Sequence, residues 1–395
     1  MGETRACNSK MARERVHDEE EFLVGEKMRG GKAMAAHVSV GWWLVVAACL
    51  SCAAAERVGD PESQQQLEVR RHLKRFNKTP VKSIKSPDGD IIDCVHISHQ
   101  PAFDHPFLKN HTIQMRPSFH PEKLLDDGKA TSQKEAMVQQ WHQNGRCPED
   151  TIPIRRTTMN DVLRASSVKR YGRKKHKDIP NPLSFDPNLL NENNGHQHAI
   201  AYAEGEKYYG AKATINVWQP KVQESNEFSL SQLWILGGSF GEDLNSIEVG
   251  WQVSPDLYGD NYTRLFTYWT DPKEGHWWMQ FGRDYVLGYW PSFLFSYLAD
   301  SASMIQWGGE AVNSEPDGVH TATEMGSGHF AEEGYSKASY FRNIQIVDGS
   351  NNLRAPTRVG SFTEQSNCYN VQNGNNGEWG QYFYYGGPGR SSTCP

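Results

Sequence analysis

Two short segments set acidic and amide side chains in mirrored order. In Ser246–Val253 (SIEVGWQV), alternation puts Ile247, Val249, Trp251 and Val253 on one face and Glu248, Gly250 and Gln252 on the other. In Ser303–Val312 (SMIQWGGEAV), Gln306, Gly308 and Glu310 fall opposite Ile305 and Trp307. One segment reads Glu-x-Gly-x-Gln and the other Gln-x-Gly-x-Glu. Two carboxyls on one face suit hydrolysis: one takes a proton from the attacking water and the other gives one to the leaving group. When close and partly buried, such groups repel, so the two glutamates are expected to titrate as a coupled pair. Gln252 and Gln306 are candidates for holding a substrate backbone or an oxyanion. Gly250 and Gly308 leave room for another backbone to pass closely. The competing interpretation puts both glutamates on a solvated outer face.

The elements that must carry these residues read as strands. From Ala211 onward, short runs rich in β-branched and aromatic residues are separated by Gly, Pro, Asn and Asp turns. Candidates are Lys212–Trp218, Phe228–Leu236, Ser246–Val253, Arg264–Trp269, His276–Phe281, Ser303–Val312, Tyr340–Val347 and Tyr382–Tyr385. Only Pro291–Asp300 hints at a helical period. The pattern predicts an all-β protein, an antiparallel β-sandwich preceded by a small pro-region and a signal peptide.

The chain has 395 residues and a formal net charge of −6. Its one long apolar run, Val38–Ala55, ends in Ala53, Ala54 and Ala55 and follows Arg29 and Lys32, the pattern of a cleaved secretory signal. Residues 28–55 are therefore read as a signal peptide and 1–27 as an upstream extension. A secreted product, extracellular or in the cell wall, with no membrane attachment after signal removal, is expected. Sequons at Asn77, Asn110 and Asn261 fit that route. So do the four cysteines beyond the signal, for which the simplest arrangement is one disulfide per half, Cys94 with Cys147 and Cys368 with Cys394. No Cys/His cluster suggests a metal.

The halves differ in charge. Residues 69–195 hold 22 Lys and Arg against 14 Asp and Glu, and residues 196–395 hold 11 against 22. The basic cluster Lys169–Lys175 lacks the stacking motif a nucleic-acid partner would require. A basic segment lying on an acidic partner in the same chain explains it better. The organisation read is a pro-region over 56–180, a linker over 181–195 and a catalytic domain over 196–395. Acid would weaken the attraction between the halves as carboxylates protonate and so release the pro-region.

Longer strings carry a resemblance. KSPDGDIIDCVHISHQPAFDHPFLKNHTIQMRPSF (Lys85–Phe119) and CPEDTIPIRRT (Cys147–Thr157) resemble the activation-peptide region of the plant neprosin family. GAKATINVWQPKV (Gly210–Val222), NSIEVGWQVSPDLYGDNYTRLFTYWT (Asn245–Thr270), DPKEGHWWMQFG, SASMIQWGGE and YFYYGGPGR resemble its catalytic domain. The resemblance implies a glutamic peptidase with two packed antiparallel sheets and a cleft on one of them. It implies Glu248 and Glu310 as the catalytic pair, no metal or organic cofactor, a peptide or protein substrate cut at proline, and the pro-region as intramolecular inhibitor. The chain departs from the family at Thr270-Asp271, where a segment of several strands and a cysteine pair is missing; the path linking the two glutamates is expected to suffer. Two other functions fit the residues: a glycoside hydrolase using the same carboxyl pair, and a non-catalytic or inactive splice form acting as a wall or glycan-binding protein.

Overall fold

The computed structural model describes residues 10–11, 61–118, 120–121, 139–165, 167–172, 179–184, 195–240, 243–269, 276–282, 285–314 and 318–395. The signal peptide, the Thr270-Asp271 junction and most of the linker lie outside them. In chain order the strands are β1 (Lys10–Met11), β2 (Lys82–Lys85), β3 (Ile91–His96), β4 (Thr151–Arg155), β5 (His196–Tyr208), β6 (Gly210–Ile215), β7 (Ser229–Gly238), β8 (Leu244–Val253) and β9 (Arg264–Trp269). They continue with β10 (Trp277–Phe281), β11 (Tyr285–Trp290), β12 (Ala302–Val312), β13 (Ser339–Val347), β14 (Leu353–Arg354), β15 (Gly360–Thr363), β16 (Asn370–Asn376) and β17 (Gly380–Gly386). The helices are α1 (Pro61–Phe76), α2 (Met159–Arg164) and the single turn α3 (Pro255–Tyr258).

The C-terminal half, from β5 onward, is a sandwich. Its front sheet runs β1-β9-β8-β7-β12-β5-β15, with every pairing antiparallel except that of β1. Its back sheet runs β14-β13-β17-β16, with β6 also paired to β13. Between the sheets lie Ala199, Ala201 and Ala203 of β5, Leu233 and Ile235 of β7, and Ile305 and Trp307 of β12, against Phe341, Phe383 and Tyr385. The three alanines on β5 keep the sheets close enough for the larger rings opposite to fill the gap. Each fully buried large apolar side chain there contributes about 2–3 kcal/mol. The β10–β11 hairpin stands apart and closes one end of this core with Trp277 and Trp290.

All eight candidate segments form strands, with ends shifted by up to three residues, and β7, β8 and β12 are buried on both faces. Five strands of this half were not expected: β5, β11, β14, β15 and β16. β5 is rich in alanine and charged residues, β16 in asparagine, and β14 and β15 are only two and four residues long, so these give little local strand signal, whereas β11 (YVLGYW) has the aromatic side chains that mark one. The helical hint at Pro291–Asp300 becomes only a 3-10 turn, Ser292–Leu294. Its Leu294, Phe295 and Leu298 are buried, and Trp277 Nε1 donates to Leu298 O at 2.8 Å, so packing decides that segment.

In the pro-region, β2-β3-β4 form a small antiparallel sheet, stapled by Cys94–Cys147. A second disulfide, Cys368–Cys394, ties down the chain end in the C-terminal half. Helix α2 starts with a reciprocal cap: Asp161 N donates to Thr158 Oγ1 at 3.2 Å, and Thr158 N donates to Asp161 Oδ2 at 2.7 Å. Asp161 also pairs with Arg155 and Arg164, and Asp93 pairs with Arg156. Arg155, Arg156 and Arg164 are thus taken up by aspartates of the pro-region itself. Among the described residues, its contacts to the C-terminal half include His111 Nε2 to Tyr289 OH at 2.6 Å, Gln114 N to Tyr289 OH at 2.9 Å, Arg164 to Leu257 O at 3.3 Å, Asn351 to His120 O at 3.1 Å, Gln306 to Pro180 O at 3.0 Å, and Phe103 and Leu108 on the main core.

Candidate active site

Strand register builds the site. β7 lies between β8 and β12, pairing Trp234 with Glu248 and Gln306, Gln232 with Gly250 and Gly308, and Leu230 with Gln252 and Glu310. The mirrored motifs therefore close into a three-by-three patch on the front face, with Gln232 at its centre and the two glutamates at opposite corners. From strand spacing and rise, the corner backbones are roughly 16 Å apart before twist, so the two side chains face each other across a gap. They are not adjacent carboxyls in direct repulsion, and each has its own partners. The coupled-pair expectation assumed adjacency; the intervening strand removes it.

Glu248 is 1% exposed and Glu310 0%, so neither lies on a solvated face. Glu248 accepts from Gln232 Nε2 at 2.9 Å and from Ser246 Oγ at 2.9 Å. Glu310 Oε1 lies 2.6 Å from His196 Nδ1, and its Oε2 lies 3.9 Å from His198 Nε2. Gln252 donates to Tyr258 OH at 2.6 Å, and Arg264 lies over the Tyr258 ring at 4.3 Å, which ties that amide into the end of the patch. Gln306 donates to the carbonyl of Pro180 at 3.0 Å. Pro180 is buried, and its neighbour Ile179 packs with Trp234, Leu236, Phe266 and Met304 on the front face. The chain's own pro-region end covers the patch.

The glycines have a reason other than substrate passage. A Cβ on Gly250 would sit 2.0 Å from Ser231 O and 2.5 Å from Gln232 Cα, and one on Gly308 would sit 2.2 Å from Ala199 O. Both clashes are with neighbouring strand backbones, and Gly308 also has φ +151°. Gly308→Ala is expected to cost about 2–4 kcal/mol in a urea melt, while Gly377→Ala, in open space, should be close to neutral. Equal stabilities for the two variants would contradict this placement.

Sequence reasoning missed Gln232, His196, His198, Glu364 and Tyr258. Gln232 was findable as the one amide among the apolar residues of FSLSQLWIL, and His196 and His198 as an i, i+2 pair on one strand face. Glu364, just beyond β15, reaches His198 only through the sheet pairing. Of the sequons, Asn110 and Asn261 are exposed. Asn77 is half-buried, donating to Thr157 O at 2.7 Å and accepting from Thr157 N at 3.0 Å, a contact an attached sugar would disturb. Among the described residues, His320, Cys368 and Cys394 cluster, but the two sulfurs are joined in the disulfide.

The family model described as Neprosin activation peptide matches residues 83–202, and the model described as Neprosin matches 225–271 and 269–388. The chain belongs to the neprosin family. The two stretches of the neprosin match meet at the Thr270-Asp271 junction, where the family pattern breaks. That point follows β9, outside the patch. β8, β7 and β12 form an unbroken trio, so the junction does not separate Glu248 from Glu310. The neprosin activation-peptide match also runs into β5, whose first residues hold Glu310.

Proposed function

We propose that this protein is the secreted precursor of a glutamic endopeptidase that hydrolyses peptide bonds at proline through Glu248 and Glu310. The observation supporting it most is the front-face patch, with both glutamates buried at its corners and Gln306 already holding a peptide carbonyl, that of Pro180. In this reading, Glu248 is oriented as an acceptor by Gln232 and Ser246 and takes a proton from water. The water oxygen bonds to the scissile carbonyl carbon. The carbon–nitrogen bond breaks as Glu310 passes a proton to the leaving nitrogen, and the donated proton returns from Glu248 through solvent. Gln232, between the two, is placed to donate to the oxygen that gains charge. The two disulfides and the exposed sequons support a secretory route, and recovery from the medium of a chain beginning after Ala55 tests it.

Incubating the acid-treated precursor with a proline-containing peptide and with oligosaccharides tests the activity. Peptide cleavage supports the reading, sugar cleavage would replace it with a glycosidase, and glycan binding without turnover with a non-catalytic protein.

The pro-region is, on this reading, the intramolecular inhibitor, and its interface holds an acid-sensitive contact. His111 and His276 lie 6.1 Å apart, ring to ring, and both touch Tyr289. Burial holds both imidazoles below their ordinary 6.5, His276 also through His111. The undocked state therefore binds protons more readily, so docking is strongest above about 6.5 and weakens as pH falls. His111→Gln, which keeps an amide for Tyr289 but does not titrate, is expected to move pro-region release to lower pH. Release at an unchanged pH, followed by size-exclusion chromatography, would remove His111 from the trigger.

A further inference from the structure

Glu310 is held from one side by a connected set of side chains that the paired-glutamate chemistry does not itself require. β5 opens with His196 and His198, both turned to the front face beside Glu310. His198 is 3% exposed, and its Nδ1 lies 2.8 Å from Glu364 Oε1. Glu364 also accepts from the backbone N–H of His198, so this carboxylate grips residue 198 twice. A carboxylate at Nδ1 holds the proton on that nitrogen and turns Nε2 toward Glu310 Oε2, at 3.9 Å, within ion-pair range but longer than a hydrogen bond. His196 fixes the other oxygen, Oε1, at 2.6 Å. The rings are wedged: His196 packs edge-on against Phe228 and His198 against Trp234.

We propose that His198, oriented by Glu364, and His196 are positioning residues for Glu310, aiming its carboxyl into the patch and sharing the proton it gives to the leaving nitrogen. The inference rests on the assignment of Glu310 as a catalytic carboxyl. With the 3.9 Å gap closed to hydrogen-bond length or bridged by one water, neutral His198 accepts the Glu310 proton at Nε2 and protonated His198 returns it, so the transfer needs no other reactant. Among the described residues, the groups beside Glu310 in its own row are apolar or held by other partners. In its own row β7 offers Leu230, β8 offers Gln252 bound to Tyr258, and β9 offers Arg264 paired with Asp260. The buried Glu227 beyond the end of β7 is engaged by Ser314, Thr321 and Thr323.

The two histidine nitrogens can be tested separately, because asparagine reproduces Nδ1 and glutamine Nε2. In the acid-activated full-length protein, His198→Asn keeps the Glu364 contact and loses the group facing Glu310. It is expected to lower kcat on a proline-containing peptide by on the order of 10²-fold, with KM unchanged and the pH–kcat profile shifted. His198→Gln should recover part of kcat but still lack the shifting proton. His196→Ala, which removes the contact at Oε1, should also lower kcat with KM unchanged, and His196→Asn should recover part of that loss. Glu364→Gln should mirror His198→Asn in its pH profile. Thermal melts of each variant separate these effects from unfolding. Parent-like kcat and pH profile in His198→Asn and Glu364→Gln, with only the melting temperature lowered, would overturn the positioning role. An active Glu310→Gln enzyme would instead overturn the catalytic assignment beneath it.

Discussion

Glu248→Gln and Glu310→Gln are each expected to cut kcat for peptide cleavage by about 10²–10⁴-fold while leaving the fold intact. Glutamine keeps the shape and one acceptor oxygen but neither takes up nor delivers a proton. At position 248 it also brings an amide group up to Gln232 Nε2 and Ser246 Oγ, which donate to both carboxylate oxygens. That variant should therefore lose some stability as well, about 1–2 kcal/mol. Because the glutamates share no hydrogen bond, their separate effects on stability should add, whereas their effects on kcat should not. The double variant should be no slower than the worse single one. Measuring kcat, KM and a urea melt for the three variants checks both statements. Retained cleavage in either single variant would end the paired-glutamate reading.

The second large effect concerns a carboxylate that does no chemistry. Glu227 is 1% exposed and accepts from Ser314 N and Oγ, both at 2.9 Å, from Thr321 Oγ1 at 2.8 Å and from Thr323 Oγ1. It knots the start of β7 to the 314–323 loop, directly beyond the end of β12 that carries Glu310. Glu227→Ala strands those donors in the interior and is expected to cost about 3–5 kcal/mol. Burial alone would raise the Glu227 pKa, but the donated hydrogen bonds outweigh it and hold the group below its ordinary 4.5. Its ionisation therefore contributes stability that is present above about 4.5 and is lost as pH falls through the lowered value. On the proposed reading, the C-terminal half would stay folded at a pH where the His111–His276 contact has already weakened. The check is a series of urea melts from pH 7 to pH 3. The parent should lose stability mainly at the acid end, and Glu227→Gln should show a flatter dependence. A parent curve no steeper than that of Glu227→Gln would contradict the knot.

Much of the site could be read without a structure because alternation is local. Which side of a strand Glu248 or Glu310 occupies depends only on its neighbours in the chain, and the apolar partners Ile247, Trp251, Ile305 and Trp307 name the core side. The same logic found most strands, and it failed where composition is atypical. β5 carries alanines because the facing rings need space, and that demand comes from the back sheet, not from β5 itself.

Sequence by itself determined the family, the all-β class and the strand face that Glu248 and Glu310 each use. Only the tertiary structure decided how those faces combine. Pairing with β7 sets the glutamates at opposite corners, puts Gln232 between them, brings His198 and Glu364 to Glu310, and lays Pro180 on Gln306. These are contacts between residues far apart in the chain. They follow from which strands pair and in what register, and register is chosen by the packing of whole sheets, which no single strand encodes.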